Sequence, residues 1–182
     1  MSIVKDMSLA ESGRRKIDWV RDFMPALSQI EARFQKEKPF QGLRIAVSVH
    51  LEAKTANLGY VLSQGGAEVY LTGSNPLSTQ DDVAAGLASL GVETFGIYGA
   101  TPEEYEEHLT KTLSCHPHIV IDDGGDLIEL LGGKCKDYAD CLLGGCEETT
   151  TGILRLKARE REGILPCPMM AVNDAKAKHY YD

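Results

Sequence analysis

The chain has 182 residues, enough for one ordinary domain, and 43% hydrophobic with 25% charged residues is typical of a globular protein. Its net charge of −8 argues against a nucleic-acid partner, because proteins that bind nucleic acid usually carry a basic face. No apolar run approaches the roughly 18 residues of a membrane span, and the N-terminus lacks the apolar core of a secretory signal, so we expect no membrane partner and a cytoplasmic location.

The predicted elements begin with a helical segment over residues 12–36, in which Pro25 is a kink or a break into two helices. After it, short apolar runs predict strands at 43–49, 68–72, 92–98, 119–122 and 169–173, with a weaker candidate at 141–146. Helices are predicted between them at 52–64, 80–90, 101–114, 127–131 and 148–162. This alternation predicts an α/β fold: a three-layer, mostly parallel doubly wound sheet with helices on both faces, preceded by the N-terminal helical segment.

Polar residues stand at the carboxyl ends of four predicted strands: His50, Asp122-Asp123-Gly124-Gly125-Asp126, Glu147-Glu148-Thr149-Thr150-Thr151-Gly152, and Asn173-Asp174. Open α/β sheets bind their ligands beyond this edge. An imidazole there can move a proton near neutral pH, although a structural histidine is the alternative for His50. The pattern predicts an active site without naming the reaction.

The aspartates Asp122, Asp123 and Asp126 are compatible with a helix cap, a hard-metal site or a catalytic acid cluster. Three carboxylates this close would repel one another in a dry crevice, so one should have a raised pKa or a cationic partner, for which Lys178 is a candidate. The run of threonines opens a helix, where hydroxyls and free N–H groups can hold a polar ligand. A purely capping role would require only one of them.

The five cysteines form no CxxC pair, so we expect reduced, structural thiols and no zinc site, with a reactive thiol at Cys146 as the alternative. The glycine pairs lack the GxGxxG spacing of a dinucleotide-binding loop. The chain itself therefore holds no predicted NAD-binding domain.

Four stretches closely resemble the adenosylhomocysteinase family: residues 75–81, 122–127, 147–152, and 172–174 with Lys178 and Asp182. The resemblance runs from about Ile17 to the last residue. It implies an NAD-dependent, reversible hydrolysis of S-adenosylhomocysteine to the nucleoside and homocysteine, a step of the methyl cycle, by a homotetramer. Family members continue into a Rossmann domain, so residues 1–182 would be the N-terminal part of the substrate-binding and catalytic domain, inactive on its own.

The resemblance also implies roles for single residues. Lys178 and Asp182 would serve the ribose 3′-hydroxyl, with Glu148 beside them. Asp123 would be the acid-base group near C4′, and His50 would handle the leaving sulfur and the incoming water. Residues 149–151 (Thr149, Thr150 and Thr151) would touch the nicotinamide end of NAD, and no metal is implied.

The segment after the histidine departs from the family pattern. Many members carry threonine and glutamate where this chain has Glu52 and Lys54, and these two positions with Thr55 would bind the base. Lysine only donates hydrogen bonds and an ionised glutamate only accepts them, which fits a 6-oxopurine and hence S-inosylhomocysteine. The alternative is that Lys54 pairs with Glu52 or faces water.

Two other interpretations stay open. One is a phospho-receiver domain, in which paired acids bind magnesium and a lysine contacts the phosphoryl group. The other is a catalytically inactive nucleoside-binding or regulatory module derived from the same family.

Overall fold

Seven strands form one sheet in a computed structural model that describes residues 1–181. They are β1 (Ile3–Val4), β2 (Arg44–Ser48), β3 (Glu68–Thr72), β4 (Glu93–Gly96), β5 (Ile119–Asp122), β6 (Gly144–Glu147) and β7 (Met169–Ala171). Their order across the sheet is β1-β4-β3-β2-β5-β6-β7, and every neighbouring pair is parallel. The sheet is thus wholly parallel, where the sequence predicted a mostly parallel one.

The helices are α1 (Ala10–Asp22), α2 (Pro25–Glu37), α3 (Ala53–Gln64), α4 (Asp81–Ser89), α5 (Pro102–Leu113), α6 (Asp126–Leu131), α7 (Thr150–Arg161) and α8 (Lys176–Tyr181). Within residues 1–181, no helix is long and apolar enough to cross a membrane.

Two hydrophobic cores lie on opposite faces of the sheet, because alternate strand residues point to opposite sides. Ile45 and Val47 of β2 pack with α1, α3 and α4, whereas Ala46 between them belongs to the core formed with α5, α6 and α7. The predicted three-layer α/β fold is therefore confirmed.

Several element boundaries differ from the sequence prediction. Pro25 breaks the N-terminal helical segment, since it stands at the first position of α2, where its missing N–H costs no hydrogen bond. The weak strand candidate at 141–146 becomes β6. Strand β1 and helix α8 were not predicted; β1 has only 2 residues and carries too little periodicity to detect.

Helices α1 and α4 approach closely through glycines. A Cβ atom on Gly13 would lie 1.7 Å from the carbonyl oxygen of Asp82, and one on Gly86 would lie 3.0 Å from the Cα of Gly13. Neither contact can be relieved by a side-chain rotation, since both partners are backbone atoms.

We expect Gly13→Ala to lower the free energy of unfolding by about 1–3 kcal/mol or more, because α1 must move away from α4. Chemical denaturation of the purified chain measures this change. Gly132→Ala is the control, since its Cβ would meet mainly the flexible end of Arg159, 2.8 Å away. Equal stability of the two variants would contradict the close helix contact.

The connections of the sheet change direction between β2 and β5. From β2 the chain moves outward through β3 and β4, and it then returns to add β5, β6 and β7 on the other side. Such a switch point opens a crevice at the carboxyl ends of the two central strands. His50 follows β2 and Asp123 follows β5, so both lie at this crevice.

Candidate active site

His50 and Asp123 meet at the switch point. The His50 Nε2 atom lies 3.6 Å from Oδ2 of Asp123, and His50 Nδ1 is 2.5 Å from the Ser78 hydroxyl oxygen. The Ser74 hydroxyl donates to the same Asp123 oxygen at 2.8 Å. Asp123 is only 8% exposed, whereas His50 is open to the crevice. Two serines of the β3–α4 connection thus orient an imidazole and a carboxylate that can exchange protons with a bound ligand.

Glu148 and Lys178 stand beside this pair. Partial burial raises the pKa of Glu148 and Asp123 adds to the rise, while Lys178 and His50 oppose it. Glu148 nevertheless keeps an exposed side. The Lys178 ammonium donates to the main-chain oxygen of Glu148 at 3.3 Å and to the side-chain oxygen of Asn173 at 2.8 Å. Asp182, the fifth predicted catalytic residue, lies outside the described residues.

The predicted repulsion within the aspartate cluster is relieved in two ways. Burial, with smaller contributions from Glu147 and Asp126, raises the pKa of Asp122 to about 8. Asp126 is instead paired with Arg155 at 3.0 Å and accepts a hydrogen bond from Tyr105 at 2.9 Å. The cation beside the cluster is therefore Arg155, and the suggested pairing with Lys178 is wrong.

A magnesium site of the receiver type is not supported by these contacts. Both Asp122 oxygens accept backbone N–H groups, from Asp123 and from Ile128, each at 3.1 Å. Among the described residues, no group of three or more histidine, cysteine, aspartate or glutamate side chains is arranged to hold a metal ion.

A cavity of about 1460 Å³ is lined by His50 and Glu148 and extends along the start of α3. Its polar wall includes Glu52, Lys54 and Thr55, which the sequence predicted as the base-binding segment. Glu52 caps α3 by accepting the N–H groups of Lys54 and Thr55 at 3.0 and 3.1 Å through one oxygen. Its second oxygen makes no such bond, and no ion pair joins Glu52 to Lys54 in the part of the chain that the structure describes.

The apolar part of the cavity lining was not predicted. It is built by the connection between α1 and α2 with the first turn of α2, including Phe23, Met24 and Leu27. The signal in the sequence was the pair of large apolar residues directly before the helix-breaking Pro25. Periodicity assigned them to a core-facing stripe and could not show that they face a cavity.

The three threonines after Glu148 have different surroundings. Thr149 caps α7: its hydroxyl accepts the Gly152 N–H at 2.9 Å and donates to Glu147 at 2.8 Å. Thr150 and Thr151 are exposed, and the Thr150 hydroxyl lies 3.5 Å from the side-chain oxygen of Asn173. Two hydroxyls therefore remain available to a ligand at this helix terminus.

Burial makes three of the five thiols less reactive. All five cysteines are free, and burial raises the pKa of Cys146, of Cys167 to about 11 and of Cys115 to about 12. This supports the structural interpretation of Cys146 over the reactive one.

Comparison with known proteins gives a consistent assignment. The family model for S-adenosyl-L-homocysteine hydrolase matches residues 1–140 and 132–182. The chain is 55% identical, over 98% of its length, to the S-inosyl-L-homocysteine hydrolase of Methanocaldococcus jannaschii, of which it covers 43%. It is 52% identical over its full length to the protein of the same name from Methanococcus maripaludis, of which it covers 44%. It is 50% identical over 98% of its length to the adenosylhomocysteinase of Pyrococcus abyssi, of which it covers 42%.

The chain thus spans less than half the length of these curated relatives. The family match nevertheless extends from the first residue to the last, through the strand-end motifs that build the crevice. On this basis the chain belongs to the S-adenosyl-L-homocysteine hydrolase family.

Proposed function

We propose that residues 1–182 are the N-terminal part of the substrate domain of an enzyme that reversibly hydrolyses the thioether of S-adenosylhomocysteine or S-inosylhomocysteine. The products would be the nucleoside and homocysteine. The observation that carries this proposal is the pairing of Asp123 at 3.6 Å with His50, which lines a cavity of about 1460 Å³. The same cavity has a polar part that suits a purine and an apolar part.

The reactive groups would act in sequence on one ligand. Asp123, oriented by Ser74, would remove the ribose C4′ proton, and His50, oriented by Ser78, would give a proton to the leaving sulfur and take one from the incoming water. Lys178, together with Asp182, would hold the 3′-hydroxyl beside Glu148. The raised pKa of Glu148 suits a carboxyl group that shares a proton with a substrate hydroxyl.

The threonine segment fits the nicotinamide end of NAD in part. The exposed Thr150 and Thr151 hydroxyls can bind a carboxamide, whereas the Thr149 hydroxyl is engaged by Glu147 and Gly152 and would only shape the site. When bound, NAD would supply hydride transfer at the ribose 3′-carbon, which acidifies the C4′ proton. Its pyrophosphate site would come from a Rossmann domain outside these residues.

The purine-facing side chains favour a 6-oxopurine. Lys54 is exposed at the cavity, and Glu52, although it caps α3, keeps one oxygen for a ligand. Lys54 can donate to O6 of hypoxanthine, and the free Glu52 oxygen can accept its N1–H. Relatives named for either substrate are about equally similar to the chain, so overall identity does not decide between them.

Turnover assays test the proposal directly. The full-length enzyme should release homocysteine from at least one of the two thioethers in the presence of NAD. Nucleoside binding without any homocysteine release would instead support the inactive regulatory module.

The cytoplasmic location and the homotetramer stay predictions.

We expect the 182-residue chain alone to bind NAD weakly or not at all, because it has no GxGxxG loop for the pyrophosphate. Isothermal titration calorimetry on the purified chain measures this, with the full-length enzyme as the positive control. NAD binding by the isolated chain as tight as in the full-length enzyme would contradict the division into two domains.

A further inference from the structure

Two buried carboxyl groups lie directly beneath the reactive ones. Asp122 and Glu147 are paired in register at the ends of β5 and β6, and both are 0% exposed. Each is followed in the chain by a reactive residue, Asp123 or Glu148. Asp122 lies two residues after Val120, which packs in the core beside α5 and α6, so the buried pair faces away from the cavity.

The Glu147 carboxylate connects both loops of the site. Its Oε1 atom accepts the N–H of Gly124 at 2.9 Å, the N–H of Thr149 at 2.9 Å and the hydroxyl of Thr149 at 2.8 Å. Gly124 directly follows Asp123, and Thr149 directly follows Glu148. Three donors on one buried oxygen stabilise a carboxylate strongly, because hydrogen bonds to an ionised group are about twice as strong as neutral ones.

The surroundings leave this carboxylate little freedom. A Cβ atom on Gly152 would lie 2.1 Å from the Glu147 carboxyl carbon, so the first turn of α7 rests directly on it. Gly124 has a φ of +111°, a left-handed backbone that L side chains rarely adopt. The other side of Gly124 is also held, since Arg155 donates to its carbonyl oxygen at 2.9 Å.

We propose that Glu147 is a positioning residue whose buried carboxylate ties the loop of Asp123 to the loop of Glu148 and so sets the spacing of the two reactive carboxyl groups. The inference rests on the proposed function only in treating Asp123 and Glu148 as the reacting groups. Asp122 complements Glu147, because burial raises the pKa of Asp122 and favours its neutral form beside the Glu147 carboxylate. Three donors stabilise one charge at Oε1, although Oε2 of Glu147 is buried with no hydrogen-bond partner among the described residues, whereas two adjacent charges would repel each other.

The Glu147→Gln variant of the 182-residue chain tests this tie without substrate. We expect hydrogen exchange at the Gly124 and Thr149 amides to become about tenfold to hundredfold faster, because an amide oxygen is a weaker acceptor than a carboxylate. We also expect the carboxyl carbons of Asp122 and Glu148 to titrate at lower pH by NMR, since Glu147 raises the pKa of both. Glu160→Gln, the same change at an exposed position of α7, should alter neither readout.

The Gly152→Ala variant changes the position of the Glu147 carboxylate without removing its charge. It should displace the carboxylate and speed up exchange at Gly124, while the raised pKa of Asp122 persists. If neither variant folds, the parent chain remains decisive: its Gly124 and Thr149 amides should exchange far more slowly than unprotected peptide groups. Unprotected amides in the parent, or unchanged exchange in Glu147→Gln, would overturn the proposal.

Kinetics in the full-length enzyme supply a separate readout. Glu147→Gln should lower kcat more than it changes KM, because misaligned reactive groups weaken the reaction more than they weaken binding. Equal kcat in Glu147→Gln and Glu160→Gln would also overturn the positioning role. Failure of the parent enzyme to turn over either thioether would instead refute the proposed function, and the amide measurements would be unaffected.

Discussion

Asp123→Asn should lower kcat of the full-length enzyme by about 100- to 10,000-fold while substrate and NAD still bind. An amide has the shape of the carboxylate and can keep the Ser74 hydrogen bond, which now ends on Asp123 Oδ2 at 2.8 Å. It cannot take up a proton at neutral pH, so removal of the C4′ hydrogen should stop. The direct measurement is exchange of that hydrogen with solvent deuterium, followed by mass spectrometry of the bound or released nucleoside.

Two controls make this result specific. Asp137→Asn, the same change at an exposed position in the turn after α6, should keep the parent rate. Ser74→Ala should give an intermediate loss, because Asp123 is then present but less well oriented. If Asp123→Asn exchanges the C4′ hydrogen at the parent rate, Asp123 is not the base and His50 becomes the better candidate.

The pair Glu52→Thr with Lys54→Glu should reverse the purine preference of the full-length enzyme. If Lys54 binds the base as proposed, it would face an acceptor in S-inosylhomocysteine but a donor amino group in S-adenosylhomocysteine. A mispaired polar group costs about 1–3 kcal/mol, which corresponds to a preference of about tenfold to hundredfold in kcat/KM. Threonine also caps helices well, so the start of α3 should be retained in the variant.

The comparison requires kcat/KM for both thioethers with parent and variant enzymes. Lys136→Glu repeats the charge reversal in the turn after α6, away from the residues that line the cavity, and should leave the preference unchanged. Equal efficiency of the parent enzyme on both thioethers would show that Lys54 does not read the base. An adenosine-specific enzyme would then be the better assignment.

The positions of His50 and Asp123 in the crevice could be predicted because each follows a short apolar run, and parallel strands place such residues at one edge. The same reasoning did not distinguish Asp122 from Asp123 or Glu147 from Glu148. Strand alternation makes neighbouring residues face opposite sides, so one acid of each pair is fully buried under the sheet edge and the other lies at the crevice. Which acid of a pair is buried depends on the exact residue at which the strand ends, and sequence patterns do not locate strand ends to one residue.

Other features depend on contacts that are distant in the chain. Ser74 and Ser78 orient the reactive pair from 49 and 28 residues away, and Arg155 reaches Asp126 across 29 residues. No local pattern indicates which serine or arginine will make such a contact. The apolar cavity wall at Phe23 and Met24 was missed for the same reason, since only the packing of α2 against α3 shows what these residues face.

The shielded cysteines bear on the chemistry of the proposed product. Homocysteine is a thiol, and thiol–disulfide exchange requires a thiolate as the attacking group. Burial raises the pKa of Cys115 to about 12 and also raises the pKa values of Cys146 and Cys167, so these three thiols would carry little thiolate at neutral pH. If the chain belongs to an enzyme that releases homocysteine, these three thiols would therefore be poor attacking groups toward a disulfide of that product.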